Sequence, residues 1–304
     1  MRKEFIFESQ DGTEIFSYIW AAKAPKAVVQ IAHGAVEHAL RYEDFANALC
    51  ESGFTVYAND HRGHGKTANG VENVGYFSDQ KGGLKLAIED MHALTKIIKK
   101  GNPSLPIFLF GHSMGSHMSR LYAANYGSEI DGLILTGTGR VNNVLISIVR
   151  AFAKVQMVLL GRKHKSPLLH TLVFGTLNQP FEGDKGCEFI STDQAVIDAY
   201  EKDEYCGNTI TPEFVYELFW CIKQAVKKET FAAKPKDIPI FIGAGEFDTM
   251  GGKNLGAVKK DVADFGDNSD VTFKIYENMR HEILNEKENE IVYQDIASWI
   301  SERV

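Results

Sequence analysis

The chain has 304 residues, of which 44% are hydrophobic and 24% are charged, and its formal net charge at pH 7 is -7. These proportions are typical of a globular enzyme with one large domain or two small ones, and they exclude disordered and fibrous proteins. An acidic chain lacks the excess of lysine and arginine that displaces counterions from phosphates, so we expect no nucleic acid partner.

The first residues and the cysteines favour a cytoplasmic protein. Acidic side chains at Glu4 and Glu8 precede any apolar run of the length that a signal peptide needs. The four cysteines form no CxxC pair, which argues against a disulfide framework and a zinc knuckle.

The most apolar window, residues 141–160, carries Arg150 and Lys154 near its centre. Each would cost about 2.5–3.5 kcal/mol inside a bilayer, so we do not interpret the window as a transmembrane helix.

Strand-like runs alternate with amphipathic helical runs over most of the chain, which is the pattern of a parallel sheet covered on both faces. Asp11-Gly12 is a hairpin signal between the first two strands, so we expect an antiparallel pair before the parallel part. We therefore predict an α/β fold with eight strands in a mostly parallel sheet, at residues 4–8, 15–20, 28–32, 55–59, 107–110, 133–136, 240–243 and 272–276. The flanking helices are predicted at residues 41–51, 84–99, 114–125, 255–265 and 291–300.

The alternation stops after the sixth predicted strand. Residues 140–236 contain helical patterns but no clear strand, and Pro235 and Pro239 precede the return to a strand. We predict that residues 140–236 form a helical cap, inserted into a discontinuous core that consists of residues 1–139 and 237–304.

A candidate nucleophile follows the fifth predicted strand. This strand runs directly into Gly111-His112-Ser113-Met114-Gly115, and a helical segment follows at once. In a G-x-S-x-G turn between a strand and a helix, the two glycines allow a sharp bend that exposes the serine above the sheet. Ser113 is therefore the predicted nucleophile, and the amide of Met114 is a predicted donor to an oxyanion.

A serine nucleophile needs a base and an acid that orients the base, which in this context follow in the order serine, acid, histidine. Asp248 comes just after the seventh predicted strand and His281 just after the eighth, where both loops project toward Ser113. His281 is the only histidine after His170, and we predict that Asp248 accepts its Nδ1 proton. Glu246 is the alternative acid.

The loop after the third predicted strand, residues 33–38 with the sequence HGAVEH, offers a second oxyanion donor. The glycine lets the backbone approach the serine, and we assign the role to the amide of Ala35. Losing such a donor costs about 2.7–4 kcal/mol of transition-state stabilisation. We expect Glu37 and His38 to brace the loop.

Several motifs together resemble the monoacylglycerol lipase and lysophospholipase branch of the α/β-hydrolases. They are HGA with EH in residues 33–38, DHRGHG in 60–65, GHSMG in 111–115, Asp248, and RHEILNE in 280–286. The resemblance implies a serine esterase without a cofactor, and a helical lid over an acyl-binding pocket. The residues to which it assigns roles are the triad Ser113, Asp248 and His281 and the oxyanion donors Ala35 and Met114.

The cap also resembles the lid of this branch, in residues 190–193 and 200–207. Two positions depart from the branch. Ser116 and His117 occupy positions where small residues are frequent, and Thr249 follows the predicted acid where proline is common. Neither departure removes a catalytic group, but both leave the substrate open.

Other kinds of site fit the sequence less well. Residues 65–67, GKT, resemble the end of a phosphate-binding loop, but Asp60 occupies the position of its first glycine and would repel phosphate. His281-Glu282 begins like a zinc-protease motif, but Asn285 replaces the second histidine. We expect neither a metal nor a nucleotide, and we interpret the close histidine pairs 33/38, 61/64 and 112/117 as local hydrogen-bonding groups.

The first half of the predicted cap is basic and apolar. Residues 140–181 contain no acid, and a narrow polar stripe crosses the apolar window at Asn143, Ser147, Arg150 and Lys154. Two functional interpretations follow: this helix lines an acyl-chain pocket, or it contacts an anionic membrane or micelle surface. Burial within the cap, or against a partner subunit, is the third interpretation.

The function predicted from the sequence is hydrolysis of a carboxylic ester through an acyl-enzyme. The preferred substrate is a single-chain lipid ester such as a monoacylglycerol or lysophospholipid. A short-chain or aromatic carboxylesterase is the alternative, and a non-catalytic binding protein with the same fold is the alternative from another class. The oligomeric state is left open.

Overall fold

Eight strands form a single sheet in the computed structural model, which describes residues 2–266 and 270–304. The strands are β1 (Arg2–Glu8), β2 (Glu14–Trp20), β3 (Ala27–Ala32), β4 (Phe54–Asn59), β5 (Ile107–His112), β6 (Gly132–Thr136), β7 (Ile240–Gly245) and β8 (Val271–Tyr276). Their order in the sheet is β1-β2-β4-β3-β5-β6-β7-β8. Strand β2 is antiparallel to both of its neighbours, and the pairs from β4 to β8 are parallel. The predicted eight-stranded, mostly parallel sheet is confirmed.

Helices cover the two faces of the sheet and build the cap. In chain order they are α1 (Glu43–Glu51), α2 (Gly83–Gly101), α3 (Met114–Tyr126), α4 (Asn143–Leu160), α5 (Pro167–His170), α6 (Thr176–Asn178), α7 (Gln194–Lys202), α8 (Pro212–Ala225), α9 (Lys228–Ala233), α10 (Gly256–Asp264) and α11 (Asn289–Ser301). Two helices begin later than predicted. Residues Ala39–Tyr42 form a 3-10 turn before α1, and Leu255 has a φ of 56°, which the α-helix does not allow, so α10 begins at Gly256.

The central strands are buried on both faces because consecutive side chains point to opposite sides of the sheet. Along β5, Phe108 and Phe110 pack in one core cluster, which includes Trp299 of α11. Leu109, between them, packs in the cluster on the other face with Met91 of α2. This two-sided burial holds the carboxyl ends of the parallel strands at one edge, where the loops that carry the predicted site residues emerge.

The predicted insertion of a helical cap after the sixth strand is also confirmed. Residues 137–239 contain no strand, and α4 to α9 all lie between β6 and β7. Between α5 and α6 the chain forms a π-helical turn, Thr171–Gly175, a conformation that is frequent at functional sites. The proposed boundaries of the cap, at residues 140 and 236, stay predictions.

One helix in the described part of the chain, α4, is long and apolar enough to cross a membrane by length and composition. Only 22% of it is buried. The buried side is a stripe that includes Ile146, Val149 and Ala153 and packs along α8. The same helix exposes a second apolar stripe, which is described below with the site.

Candidate active site

Ser113 lies in the turn between β5 and α3, with a left-handed φ of 52°. Non-glycine residues seldom adopt this conformation, and its strain is typical of a serine held in a nucleophile turn. The glycines of the motif are required by packing. A side chain at Gly115 would clash with the carbonyls of Ala32 and His33, and one at Gly111 would clash with Ser119. The strand and the helix therefore approach each other too closely in this turn to admit a side chain at position 111 or 115.

The structure brings His281 and Asp248 to Ser113. His281 Nε2 is 2.9 Å from Ser113 Oγ, and its Nδ1 is 2.9 Å from Asp248 Oδ1. Glu246, the alternative acid, is exposed, and its carboxylate accepts a hydrogen bond from the amide of Asn278. Of the two carboxylates, Asp248 is thus the one in contact with the imidazole.

The surroundings of His281 favour its protonated form. Burial alone would lower the pKa of His281, but the charge of Asp248 and its hydrogen bond, with the charges of Glu282 and Glu37, raise it above that of an ordinary histidine. His112, whose ring centroid is 4.8 Å from that of His281, behaves in the opposite way. Burial, followed by repulsion from His281, lowers the pKa of His112 to about 3, so His112 is neutral at pH 7.

The predicted oxyanion donors lie beside the serine. Ala35, Met114 and Ser113 all line one cavity. The neighbouring amide of Gly34 donates to Glu37 Oε1 at 2.5 Å, so this N–H is already engaged. Tyr42 donates its hydroxyl hydrogen to the same oxygen of Glu37, at 2.8 Å. Glu37 thereby fixes the loop in the conformation that directs Ala35 to the cavity wall.

Arg41 joins two of the site loops, a role that no local sequence pattern predicts. Its guanidinium donates to Glu37 at 2.8 Å and makes two hydrogen bonds to Glu282, at 2.7 and 2.6 Å. Burial raises the pKa of Glu282, but the charge of Arg41 and its hydrogen bonds outweigh it and lower the pKa to about 2. Because Glu282 follows His281 directly, Arg41 ties the oxyanion loop to the histidine loop. The motif EHxxR was visible in the sequence, but its partner is 241 residues away.

The cap contacts the histidine loop through backbone hydrogen bonds. The amide of His281 donates to the carbonyl of Phe189 at 3.2 Å, and that of Glu282 donates to Ile190 at 2.8 Å. Arg280 donates to the carbonyl of Glu188 at 2.6 Å. Three consecutive residues of the RHEILNE motif, Arg280, His281 and Glu282, thus connect the histidine loop to the cap.

Residues 60–65 form a buried polar loop at the carboxyl end of β4. Asp60 accepts hydrogen bonds from the amides of Ala39 and Lys66, each at 2.9 Å, and from the hydroxyl of Tyr18 at 3.0 Å. The carboxylate of Asp60 thus connects three neighbouring segments through hydrogen bonds. Because it occupies the loop with a negative charge, the loop is not arranged to bind phosphate.

The cavity beside Ser113 has a volume of about 220 Å³ and an apolar wall. Its polar side chains besides Ser113 are His117 and Thr176, and no carboxylate of the described residues lines it. His117 contacts two carbonyls, with Nδ1 3.0 Å from Ser113 O and Nε2 2.9 Å from Gly139 O. The apolar lining comprises Ala35, Met114, Val141, Leu145, Val149, Leu172, Val173, Phe174, Leu177, Leu218, Phe219, Ile222 and Met250.

Comparison with known proteins finds similarity along nearly the whole chain. The family model described as serine aminopeptidase, S33, matches residues 23–288. A monoacylglycerol lipase of Mycolicibacterium smegmatis is 28% identical over 304 residues, which cover 98% of this chain and 97% of that protein. The monoglyceride lipase of Homo sapiens is 25% identical over 305 residues, with coverages of 96% and 88%. A thermostable carboxyl esterase from Bacillus coagulans, solved in complex with glycerol, superposes with a TM-score of 0.90 at 30% identity, over 99% of this chain and 98% of that one.

The contact between Asp248 and His281 predicts how the imidazole titrates. In Asp248→Asn, the charge that stabilises the imidazolium is absent, so we expect the pKa of His281 to fall below its wild-type value. An NMR titration of the histidine ring signals measures it. Glu246→Gln is the matched control and should leave the titration of His281 unchanged. A larger shift in Glu246→Gln than in Asp248→Asn would reverse the assignment of the acid.

Proposed function

We propose, on the premise that the chain belongs to the serine aminopeptidase S33 family of α/β-hydrolases, that it hydrolyses esters of single-chain lipids such as monoacylglycerols or lysophospholipids. The family membership confirms the resemblance that the sequence motifs indicate, and the chain is a serine ester hydrolase. The preference for single-chain lipids is supported by the cavity beside Ser113.

The apolar wall of this cavity is the observation that carries the proposal. A wall of leucine, valine, isoleucine and phenylalanine side chains stabilises an acyl chain by removing it from water, at about 0.8 kcal/mol for each buried methylene. An aminopeptidase would need a carboxylate in the cavity to bind the ammonium group of its substrate. The cavity lining in the described residues contains none, so an acyl ester fits it better than a peptide amine.

We assign the first chemical step to the contacts around Ser113. Its Oγ attacks the ester carbonyl carbon while His281 Nε2, 2.9 Å away, takes the hydroxyl proton. The resulting imidazolium is stabilised by Asp248, and the amides of Ala35 and Met114 donate to the oxyanion. Collapse of the tetrahedral intermediate breaks the bond to the alcohol, which leaves with the proton from His281.

The second step regenerates the enzyme. His281, again neutral, takes a proton from a water molecule, and the hydroxide that forms attacks the acyl-enzyme carbonyl. The same amides stabilise the second oxyanion. Its collapse breaks the bond to Ser113 Oγ, which recovers a proton from His281, and the fatty acid is released. Because the base must be neutral, activity is lost as the pH falls through the raised pKa of His281.

The role of Ser113 is tested by a fluorophosphonate probe, which reacts with activated serines. We expect the probe to label Ser113 and Ser113→Ala to lose about 10⁴-fold or more in kcat/KM for a monoacylglycerol. Ser119→Ala is the matched control, because Ser119 lies on the same helix and its buried hydroxyl has no hydrogen-bond partner among the described residues. Full activity in Ser113→Ala would show that another residue is the nucleophile, whereas a wild type with neither labelling nor ester hydrolysis would favour a binding protein.

The cavity predicts a chain-length preference that a larger side chain would remove. Leu218 of α8 lies in the wall, so Leu218→Trp shortens the space for the acyl chain. Each methylene that no longer fits loses about 0.8 kcal/mol, or roughly fourfold in kcat/KM. We therefore expect long-chain esters to lose activity while short-chain esters keep theirs, in a series of acyl esters of increasing length.

The control for this experiment is Ile291→Trp, on the half-exposed surface of α11 away from the cavity. It should leave the chain-length profile unchanged. A wild-type profile that favours short chains, with no change in Leu218→Trp, would support the alternative of a short-chain carboxylesterase. The similarity to the Bacillus coagulans carboxyl esterase is the observation that favours this alternative.

We further propose that α4 makes peripheral contact with a lipid surface in the cytoplasm. Its inner edge contributes Leu145 and Val149 to the cavity, while Ile148 and Val158 on the outer side are 60% and 77% exposed. An apolar helix face beside a pocket for acyl chains suits a position at the headgroup boundary of a membrane or micelle. All four cysteines are free thiols, which suits a reducing compartment.

Charge contributes less to this contact than the sequence of the cap indicated. The structure pairs Arg140 with Asp261 of the core at 2.6 Å, and Lys163 with Asp79 at 3.2 Å. Lys154 remains exposed on α4 beside the apolar stripe. Two of the six basic side chains of residues 140–181 are therefore paired with acids of the core, and we assign most of the attraction to the apolar face.

The outer face of α4 predicts a loss of lipid binding on substitution. Ile148→Asp places a charge in this face, and we expect vesicle affinity to fall by about tenfold or more. Flotation with vesicles of phosphatidylcholine and phosphatidylglycerol measures it. Ile291→Asp is the matched control, since this isoleucine is 49% exposed on α11. Hydrolysis of a water-soluble ester should be equal in both variants. Equal vesicle affinity of all three proteins would contradict the proposal.

A further inference from the structure

A second group of reactive side chains lies where the core meets the cap, apart from the catalytic contacts. His38 is the last residue of the oxyanion loop, and Asp203 and Cys206 follow α7 in the cap. One ligand atom from each lies within 4.8 Å of the other two. In residues 2–266 and 270–304, no other three side chains of histidine, cysteine, aspartate or glutamate converge this closely. We propose that these three residues form a zinc-binding site that joins the cap to the core.

The types of ligand fit zinc. A cysteine thiolate, a histidine nitrogen and a carboxylate oxygen bind Zn²⁺ at about 2.3, 2.0–2.1 and 2.0–2.2 Å, in tetrahedral geometry. Neighbouring ligand atoms of such a site therefore lie roughly 3.3–3.6 Å apart. His38 Nε2 and Asp203 Oδ2 are now 2.9 Å apart, as hydrogen-bonding partners. Zinc would replace the shared hydrogen with a metal ion after displacements of about 1 Å or less.

The backbone already holds the two cap ligands in place. The amide of Cys206 donates to the carbonyl of Asp203 at 3.0 Å, in a turn that puts both side chains on one side. The amide of Tyr205 donates to Asp203 Oδ1 at 2.9 Å, which leaves Oδ2 directed at His38. A preformed turn lowers the conformational entropy that the metal would otherwise have to overcome.

A second set of hydrogen bonds fixes this turn against the core. The amide of Gly207 donates to the carbonyl of Val36 at 2.9 Å, and the hydroxyl of Tyr200 donates to the same carbonyl at 3.1 Å. Val36 is two residues before His38, so these hydrogen bonds join the segment of the core ligand to the segment of the cap ligands. His38 and Cys206 are buried, and Asp203 is partly exposed, which leaves an access path for the ion.

Three protein ligands leave the fourth position of the zinc for water. Binding releases the thiol proton of Cys206 to solvent and requires the hydrogen of the neutral His38 ring to move from Nε2 to Nδ1 by exchange with solvent. The Zn–S, Zn–N and Zn–O bonds form, and the oxidation state of the zinc is unchanged. The bound ion would link the oxyanion loop to the segment after α7. This assignment is independent of ester hydrolysis, and its test measures metal binding alone.

The experiment uses the full chain without an affinity tag and replaces zinc with Co²⁺, whose bond to a thiolate gives a charge-transfer band in the near ultraviolet. We expect one equivalent of Co²⁺ to produce the band and one equivalent of Zn²⁺ to remove it. Cys206→Ser should abolish the band. Asp203→Asn and His38→Asn should lower zinc affinity on the order of 100-fold, measured by competition with a chromophoric chelator.

Cys187→Ser is the matched control, because Cys187 is a free cysteine that lines the same small cavity as Cys206. It should keep the band and the zinc affinity of the wild type. The proposal is overturned if the wild type gives no thiolate band, if the band survives Cys206→Ser, or if only Cys187→Ser removes it. Should Cys206→Ser fail to fold, as judged by circular dichroism, unchanged affinity in Asp203→Asn would overturn the proposal equally.

Discussion

The geometry of the site depends on the ion pairs of Arg41, whose side chain is 11% exposed. Its guanidinium pairs with Glu37, which holds the oxyanion loop, and with Glu282, which follows the base. Without Arg41, two carboxylates would be buried without a counter-charge, and breaking a buried ion pair in this way costs about 3–5 kcal/mol. The guanidinium also lies 4.8 Å from the centre of the Tyr200 ring, so the same side chain contacts the cap. One cation thus fixes the relation between three segments that are distant in the sequence.

The parts of the fold that the sequence predicts are those with a local signal. The eight strands are predicted from their short apolar runs. The G-x-S-x-G turn is predicted from its glycines, since no side chain fits at Gly111 or Gly115 where the strand and the helix approach each other. The positions of Asp248 and His281 follow from the order of the strands. No local pattern predicts that β4 lies between β2 and β3 in the sheet. The order of the strands depends on how they pair with one another, and the residues of a single strand do not determine that pairing.

The same distinction separates the residues of the site. Ser113 was predictable because its chemistry requires its immediate neighbours. The partners of Arg41 and of His38 were not, because a surface-like sequence such as EHALR does not show that its charges become buried against a distant segment. The helix α4 is an intermediate case: its apolar pattern was evident, but only packing decides that Val149 faces inward while Val158 faces solvent.

The π-helical turn at Thr171–Gly175 affects how the cavity can change over evolution. Such a turn contains one residue more than the α-helix it interrupts, and it directly precedes Thr176 and Leu177 in the wall. Deleting one residue there would restore an α-helical turn that has one side chain fewer among Leu172, Val173 and Phe174, which the π-helical turn contributes to the wall. The side chains after the turn would keep nearly the same orientation, because four α-helical residues turn through about 400°, which is close to the angle spanned by five residues of the wider turn. The wall would then present a different set of side chains, while the sheet, the nucleophile turn and the Arg41 contacts stayed in place. A single codon in the cap is therefore enough to alter which acyl groups fit, without any substitution near the reacting atoms.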